Sequence, residues 1–224
     1  ARRAPELTLA PVVVHGEPAV REVLLESGPV TGAVGECGIQ GRVFQRGEFL
    51  GRDPREEGGH DGRGDLLSQG QALRQLCSRH GALFVVNDRI DIALAVDADG
   101  VHLGQGDLPP ALARQLLGPD KLIGRSTHAL PQLRQAVADG CDYVGVGPVN
   151  APPTKPGREP VGLDYVRQAA AESPIPFFAI GGIDAGSLAA VQAAGAERVA
   201  VVRAITEAAD PEAASRDLLQ RLHP

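Results

Sequence analysis

No stretch of this 224-residue chain approaches the roughly 18 consecutive apolar residues of a membrane-spanning helix. The opening ARRAPELTLAPVVVHGEP holds too short an apolar run for a secretory leader, so a cytoplasmic protein is expected. Basic charge is not in excess: 22 Lys and Arg stand against 28 Asp and Glu, for a net charge of -6 and a pI of about 5.5. That balance argues against a general nucleic-acid or membrane-surface partner and makes any phosphate site a local one. Cysteine is sparse and odd in number (Cys37, Cys77, Cys141), which gives neither a disulfide framework nor a zinc motif. Such cysteines are expected to be small buried or idle thiols. The Gly-x-Gly-x-x-Gly turn of a dinucleotide-binding sheet is missing as well. Lysine occurs only at Lys121 and Lys155, so each is conspicuous.

What is present from Gln71 onward is an alternation. Short Val/Ile/Leu-rich runs begin near Leu83, Val101, Leu122, Tyr143, Phe177 and Arg198. Helix-like segments lie between them at Ala111–Leu117, Leu130–Asp139, Leu163–Glu172 and Ser187–Ala194, with another at Pro211–Leu222. Strands alternating with helices pair in parallel, because a helix supplies the crossover that parallel strands require. Gly140 and Gly195 stand where a left-handed residue ends a helix. Six strands at this spacing predict an α/β protein of the (β/α)8 TIM-barrel type. Its first two strands are poorly supported, since residues 1–70 hold 13 of the 28 glycines and no lysine. Within them only Leu7–Val14 reads as a strand and Ala19–Ser27 as a helix, while residues 38–65 read as loop or disorder.

The candidate chemistry sits at strand ends. LFVVNDR (Leu83–Arg89) stops on Asn87 and Asp88, and VHLGQGD (Val101–Asp107) runs to a second carboxylate. In a parallel barrel all strand C-termini open on one face, so Asn87, Asp88, Asp107, Ser126, Lys155, Gly181 and Gly182 are expected to converge. Asp88 and Asp107 on neighbouring strands suit Mg2+, which takes one or two carboxylates and leaves its other positions to water and substrate phosphates. Taken singly, either aspartate is as well explained as a turn residue or a helix cap. AIGGI (Ala179–Ile183) ends a strand in two glycines whose backbone amides can bind phosphate. The segment from Gly147 to Gly162 is long beyond what a connection needs and carries Thr154 and Lys155; a lysine there can meet a phosphate as a mobile point charge.

The blocks FVVNDR, ADGVHLGQ, GRSTH, DYVGVGPV with TK, FAIGGI and AGAERVAVVRAI together resemble thiamine phosphate synthase in its cyanobacterial form, from about residue 71 to the C-terminus. The resemblance implies a transferase of thiamine biosynthesis, a (β/α)8 enzyme with Mg2+ as cofactor. Its substrates would be a hydroxymethylpyrimidine diphosphate and a thiazole phosphate, and its products thiamine phosphate and pyrophosphate. Carried over by position, Asn87, Ser126, Thr154 and Lys155 would contact substrate, with Ser126 and Lys155 in catalytic roles. Asp88 and Asp107 would hold the metal. Gly181 and Gly182 would cradle the thiazole phosphate, with Arg203 nearby. A homo-oligomer is compatible with all of this.

The sequence departs from the family in its first part. The Gln-x-Arg-x-Lys strand end that grips the diphosphate is not found: Gln40 and Arg42 have the first spacing, but Phe44 stands in the lysine's place. Residues 1–70 are therefore read as an atypical segment, foreign to the family or short of ordered structure, preceding a synthase-like barrel over residues 71–224. Pro152 replaces a threonine of the long loop, and Arg203 stands where many members have serine. Two other readings compete. A thiazole tautomerase would share the fold but needs a proton-transfer histidine at the position of Pro148, and His128 does not decide between the two. The other is a catalytically impaired phosphate-binding remnant, motivated by the missing Gln-x-Arg-x-Lys pattern.

Overall fold

Runs that are apolar on both faces can be buried only in a parallel sheet covered by helices, and the chain places them there. The computed structural model describes residues 12–14, 21–26, 63–79, 82–150 and 159–222. In chain order the elements are β1 (Val12–Val14), β2 (Arg21–Glu26), α1 (Arg63–Arg79), β3 (Phe84–Asn87), α2 (Ile90–Ala95), β4 (Gly100–Leu103), α3 (Pro110–Leu117) and β5 (Leu122–Thr127). They continue as α4 (Leu130–Ala138), β6 (Tyr143–Val146), α5 (Gly162–Glu172), β7 (Phe177–Ile180), α6 (Leu188–Ala193), β8 (Arg198–Val201), α7 (Arg203–Thr206) and α8 (Pro211–Leu222). Strands β3 to β8 pair in parallel in sequence order. The six expected strands are all there. Gly140 and Gly195 end their helices at φ of 78° and 97°, the left-handed geometry expected of them.

The first two strands depart from a regular barrel repeat. β1 runs parallel to β3, with Val12 opposite Phe84. β2 runs antiparallel to both β1 and β8, with Val23 opposite Val12 and Val201, and thereby closes the ring. The segment Ala19–Ser27, read from sequence as a helix, is thus a strand over Arg21–Glu26. Ladder pairing on both sides satisfies its backbone and overrides a local helical preference that is only a weak prior. The expected loop over residues 38–65 lies outside the described residues up to 62, and its last three residues open α1. That helix runs through the boundary drawn at residue 70. Gln40, Arg42 and Phe44 also lie outside the described residues.

Side-chain alternation separates the sheet into two faces. The outer face packs against the helices: Val86, Val101, Ile123, Val144, Ala179 and Val199 form one cluster with Leu73, Ala113, Leu133, Val166, Val191 and Leu218. A smaller cluster made only of strand residues, Val85, Tyr143, Phe178 and Ala200 with Leu122 and Ile180 beside them, lines the inside. The N-terminal end of the sheet carries a repeated device. Asp99, just before β4, accepts the Phe84 N–H at 2.6 Å and pairs with Arg74 of α1 at 2.6 Å. Asp142, just before β6, accepts the Ile123 N–H at 2.7 Å and pairs with Arg114 of α3 at 2.6 Å.

Candidate active site

Parity places the polar residues of the inner face. Asn87 lies two residues beyond the inward Val85, sits opposite His102, and is 3% exposed. His102 in turn lies opposite Gly124, two residues before Ser126. Tyr143 crosses directly over Gly124: a Cβ there would come within 2.1 Å of Cζ of the ring, so only glycine admits the ring at this height. The room so made holds a buried polar chain, with His102 Nδ1 3.2 Å from Tyr143 Oη and His102 Nε2 2.9 Å from Ser126 Oγ. Gln105 donates from Nε2 to the Ser126 carbonyl at 2.7 Å. A buried imidazole flanked by two hydroxyls can accept from one and donate to the other, which holds Ser126 Oγ in place.

Strand β3 stops where Asp88 turns the chain. Asp88 has φ 59°, a left-handed value unusual for a residue with a side chain, and its N–H donates to the His102 carbonyl at 2.8 Å. The Arg89 N–H then closes on the Asn87 carbonyl at 2.6 Å. The strand therefore ends in a tight turn that leaves Asp88 exposed at the rim. On the adjacent loop Asp107 Oδ2 accepts the Gly104 N–H at 2.6 Å, while Oδ1 takes no partner among the described residues. Two carboxylates thus stand beyond the ends of neighbouring strands. Among the described residues no group of three or more His, Cys, Asp or Glu has the arrangement of a complete metal site.

The other half of the rim is a backbone structure. Beyond β6 the chain passes through a cis Gly147–Pro148 bond and lies alongside the turn that follows β7. The Val149 N–H donates to the Ile180 carbonyl at 2.8 Å, the Asn150 N–H to that of Gly181 at 3.0 Å, and Asn150 Nδ2 to that of Gly182 at 3.0 Å. In a trans peptide the N–H points opposite to the preceding carbonyl. The amides of Gly181, Gly182 and Ile183 are therefore turned away from Val149 and Asn150; that of Gly181 faces Ala200 of β8 in the ladder, and no described residue accepts from those of Gly182 and Ile183. Gly181 and Gly182 have φ of 103° and 60°, and a Cβ on them would meet Pro148 at 2.5 Å and Asn150 at 2.8 Å. Packing alone demands both glycines. The amides of Gly186 and Ser187 are already taken by Asp184 Oδ1, at 3.0 and 2.8 Å. Those bonds, with the one from the Ser187 hydroxyl, hold the Asp184 carboxyl below its usual range.

Both flanks of the segment 151–158 are pinned here too, since the Val161 and Gly162 amides donate to the carbonyls of Pro148 and Val149 at 2.8 and 3.2 Å. Thr154 and Lys155, and with them Pro152, lie outside the described residues. His128 holds the opposite side of the Gly147 peptide by donating from Nδ1 to its carbonyl. Arg203 opens α7 immediately after β8, half-exposed. Of the expected site residues, Asn87, Asp88 and Ser126 come together with the β4 loop that carries Asp107. Gly181 and Gly182 form the turn beyond β7, across the sheet. His102 and Tyr143 were missed from sequence because attention to strand ends passes over the alternation Gly100-x-His102 and Tyr143-x-Gly145, which points both side chains inward. Among the described residues no helix is long and apolar enough to cross a membrane.

The family model for thiamine monophosphate synthase matches residues 55–205. A thiamine-phosphate synthase of Prochlorococcus marinus is 58% identical over 156 residues, covering 70% of this chain and 44% of that protein. One from Gloeobacter violaceus is 63% identical over 151 residues, covering 67% and 44%. The chain thus spans less than half the length of these relatives. Among solved structures, a thiamine phosphate pyrophosphorylase from Pyrococcus furiosus superposes with a TM-score of 0.65 at 35% identity, over 74% of this chain and 79% of that one. With the family model matched over residues 55–205 and relatives near 60% identical over two thirds of the chain, the chain belongs to the thiamine monophosphate synthase family.

Proposed function

We propose that this chain joins 4-amino-2-methyl-5-hydroxymethylpyrimidine diphosphate to 4-methyl-5-hydroxyethylthiazole phosphate on a (β/α)8-type scaffold. The observation that carries the reading is the pair of amides at Gly182 and Ile183 that no described residue accepts from, at the C-terminal end of a parallel sheet whose opposite rim carries Asp88 and Asp107. Two consecutive unaccepted amides beside left-handed glycines suit an anion such as a phosphate monoester. Arg203, at the next strand end, adds a cation on that side.

The carboxylates of Asp88 and Asp107 fit Mg2+. They are hard oxygen donors beyond adjacent strand ends, Asp107 keeps one oxygen without a partner among the described residues, and the positions they leave open suit water and diphosphate oxygens. When bound, Mg2+ would neutralise charge on the departing diphosphate. Asn87 and the hydroxyl of Ser126, fixed by His102, would orient the pyrimidine, while Thr154 and Lys155 would meet the diphosphate. The methylene C–O bond to the diphosphate breaks, and the electron-rich aminopyrimidine supports the resulting cation. The thiazole nitrogen then forms the new C–N bond, and pyrophosphate leaves. No strong base is required, only alignment and charge neutralisation, which is what these side chains offer.

The test is product formation from the two substrates with and without Mg2+, read by oxidising thiamine phosphate to its fluorescent thiochrome. Mg2+-dependent product supports the reading. Soluble, folded protein that gives no product overturns it.

A further inference from the structure

The carbonyls of Ile180, Gly181 and Gly182 are held by two residues, Val149 and Asn150, and the last of them, that of Gly182, is held by a side chain, Asn150 Nδ2 at 3.0 Å. We infer that Asn150 is a positioning residue for the phosphate monoester, acting through the Gly182–Ile183 peptide. The inference rests on the function proposed above.

The Ile180 and Gly181 carbonyls are bound by backbone amides, of Val149 and Asn150, which any residue would supply. The Gly182 carbonyl depends on what stands at position 150. Gly182 has φ 60° and no Cβ, so the Gly182–Ile183 peptide is intrinsically free to rotate. Fixing its carbonyl fixes its N–H, because the two lie in one rigid plane. With Asn150 donating, the Ile183 amide is held beside that of Gly182, so that the two can meet one anion. Without it the peptide rotates and the pair loses its second donor. The close approach of the glycine to Asn150, where a Cβ would lie 2.8 Å from Asn150 Cβ, keeps the two segments in register, so that the amide nitrogen reaches no other carbonyl of the turn. Asn150 needs no contact with the ligand for this role.

The experiment compares Asn150→Ala and Asn150→Asp with the unaltered chain. Thiazole phosphate binding is measured by titration calorimetry, KM for each substrate by the thiochrome assay, and Tm by thermal melts. Loss of one donor predicts that thiazole phosphate binds about three- to tenfold more weakly to the alanine variant, with KM for the pyrimidine diphosphate and Tm unchanged. The aspartate variant is isosteric but cannot donate and brings a negative charge to the amide pair, so it loses more. Equal weakening for both substrates, or a fall in Tm that accounts for it, makes Asn150 merely structural and overturns the inference. So does unchanged thiazole phosphate affinity. If the unaltered chain binds no thiazole phosphate at all, the proposed function falls first and this inference with it.

Discussion

Ser126 Oγ stands 2.9 Å from His102 Nε2, and the same imidazole reaches Tyr143 Oη at 3.2 Å through its other nitrogen. One ring therefore joins a hydroxyl at the rim to a hydroxyl in the barrel interior. Groups sharing one partner do not add in their effects. Ser126→Ala and Tyr143→Phe are each expected to cost about 1 kcal/mol in urea unfolding. Together they should depart from the sum of the single losses by more than about 0.5 kcal/mol. Additive losses would show that the ring does not couple the two.

Asp107 has two duties that a single substitution can separate. Its Oδ2 accepts the Gly104 N–H at 2.6 Å, which an asparagine carbonyl can also do. Asp107→Asn should therefore keep the loop and Tm while dropping the charge that a divalent cation needs. Turnover at a fixed Mg2+ concentration is expected to fall about a hundredfold or more. Full activity in a Mg2+ titration of this variant would remove Asp107 from the metal assignment.

Gly124 tests the packing of the interior. A methyl at this position would lie 2.1 Å from Tyr143 Cζ, so Gly124→Ala should destabilise the fold by about 1–3 kcal/mol in chemical denaturation. In a Tyr143→Leu background the ring is gone and the cost of the same substitution should shrink. An equal cost in both backgrounds would point to the glycine backbone rather than the ring.

The Asp184 carboxyl is held below its usual range by the Ser187 amide and hydroxyl and the Gly186 amide. A carboxylate with a depressed folded-state pKa adds stability that is complete above its unfolded value, about 4, and is lost as pH falls through the folded value. Asp184→Ala should therefore lower stability by about 1 kcal/mol at neutral pH. The gap to the unaltered protein should narrow in melts taken below about pH 4. A gap independent of pH would assign the loss to something other than the charge.

The strands from Leu83 to Arg198 were readable because each is a short apolar run with helical periodicity on either side, and Gly140 and Gly195 mark helix ends that only glycine fits cheaply. Helix α2 escaped notice: Ile90–Ala95 is six residues long with no side-chain cap, too short for a periodic signal. Ala19–Ser27 misled for the opposite reason, since Glu, Leu and Arg favour a helix that pairing with β1 and β8 overrules. At the site, Asn87, Asp88 and Ser126 stood out as polar endings to apolar runs. His102 did not, because a histidine in the middle of a strand declares itself only once its neighbours' facing is known. Asn150 lay inside a loop whose pairing with residues 180–182 no local pattern records.

The Asp99 and Asp142 devices at the opposite end of the sheet carry a consequence for how the strands find their places. Each aspartate ties its own strand to the start of the preceding strand, at Phe84 or Ile123, and to an arginine of the helix that preceding strand follows. Alignment is thereby written afresh at each two-strand tile, β3 with β4 and then β5 with β6. A slip by one residue in either tile would strand an arginine and an amide at once, so errors upstream are not passed on. The rim that carries Asn87, Asp107 and Ser126 is thus aligned by contacts on the far side of the sheet.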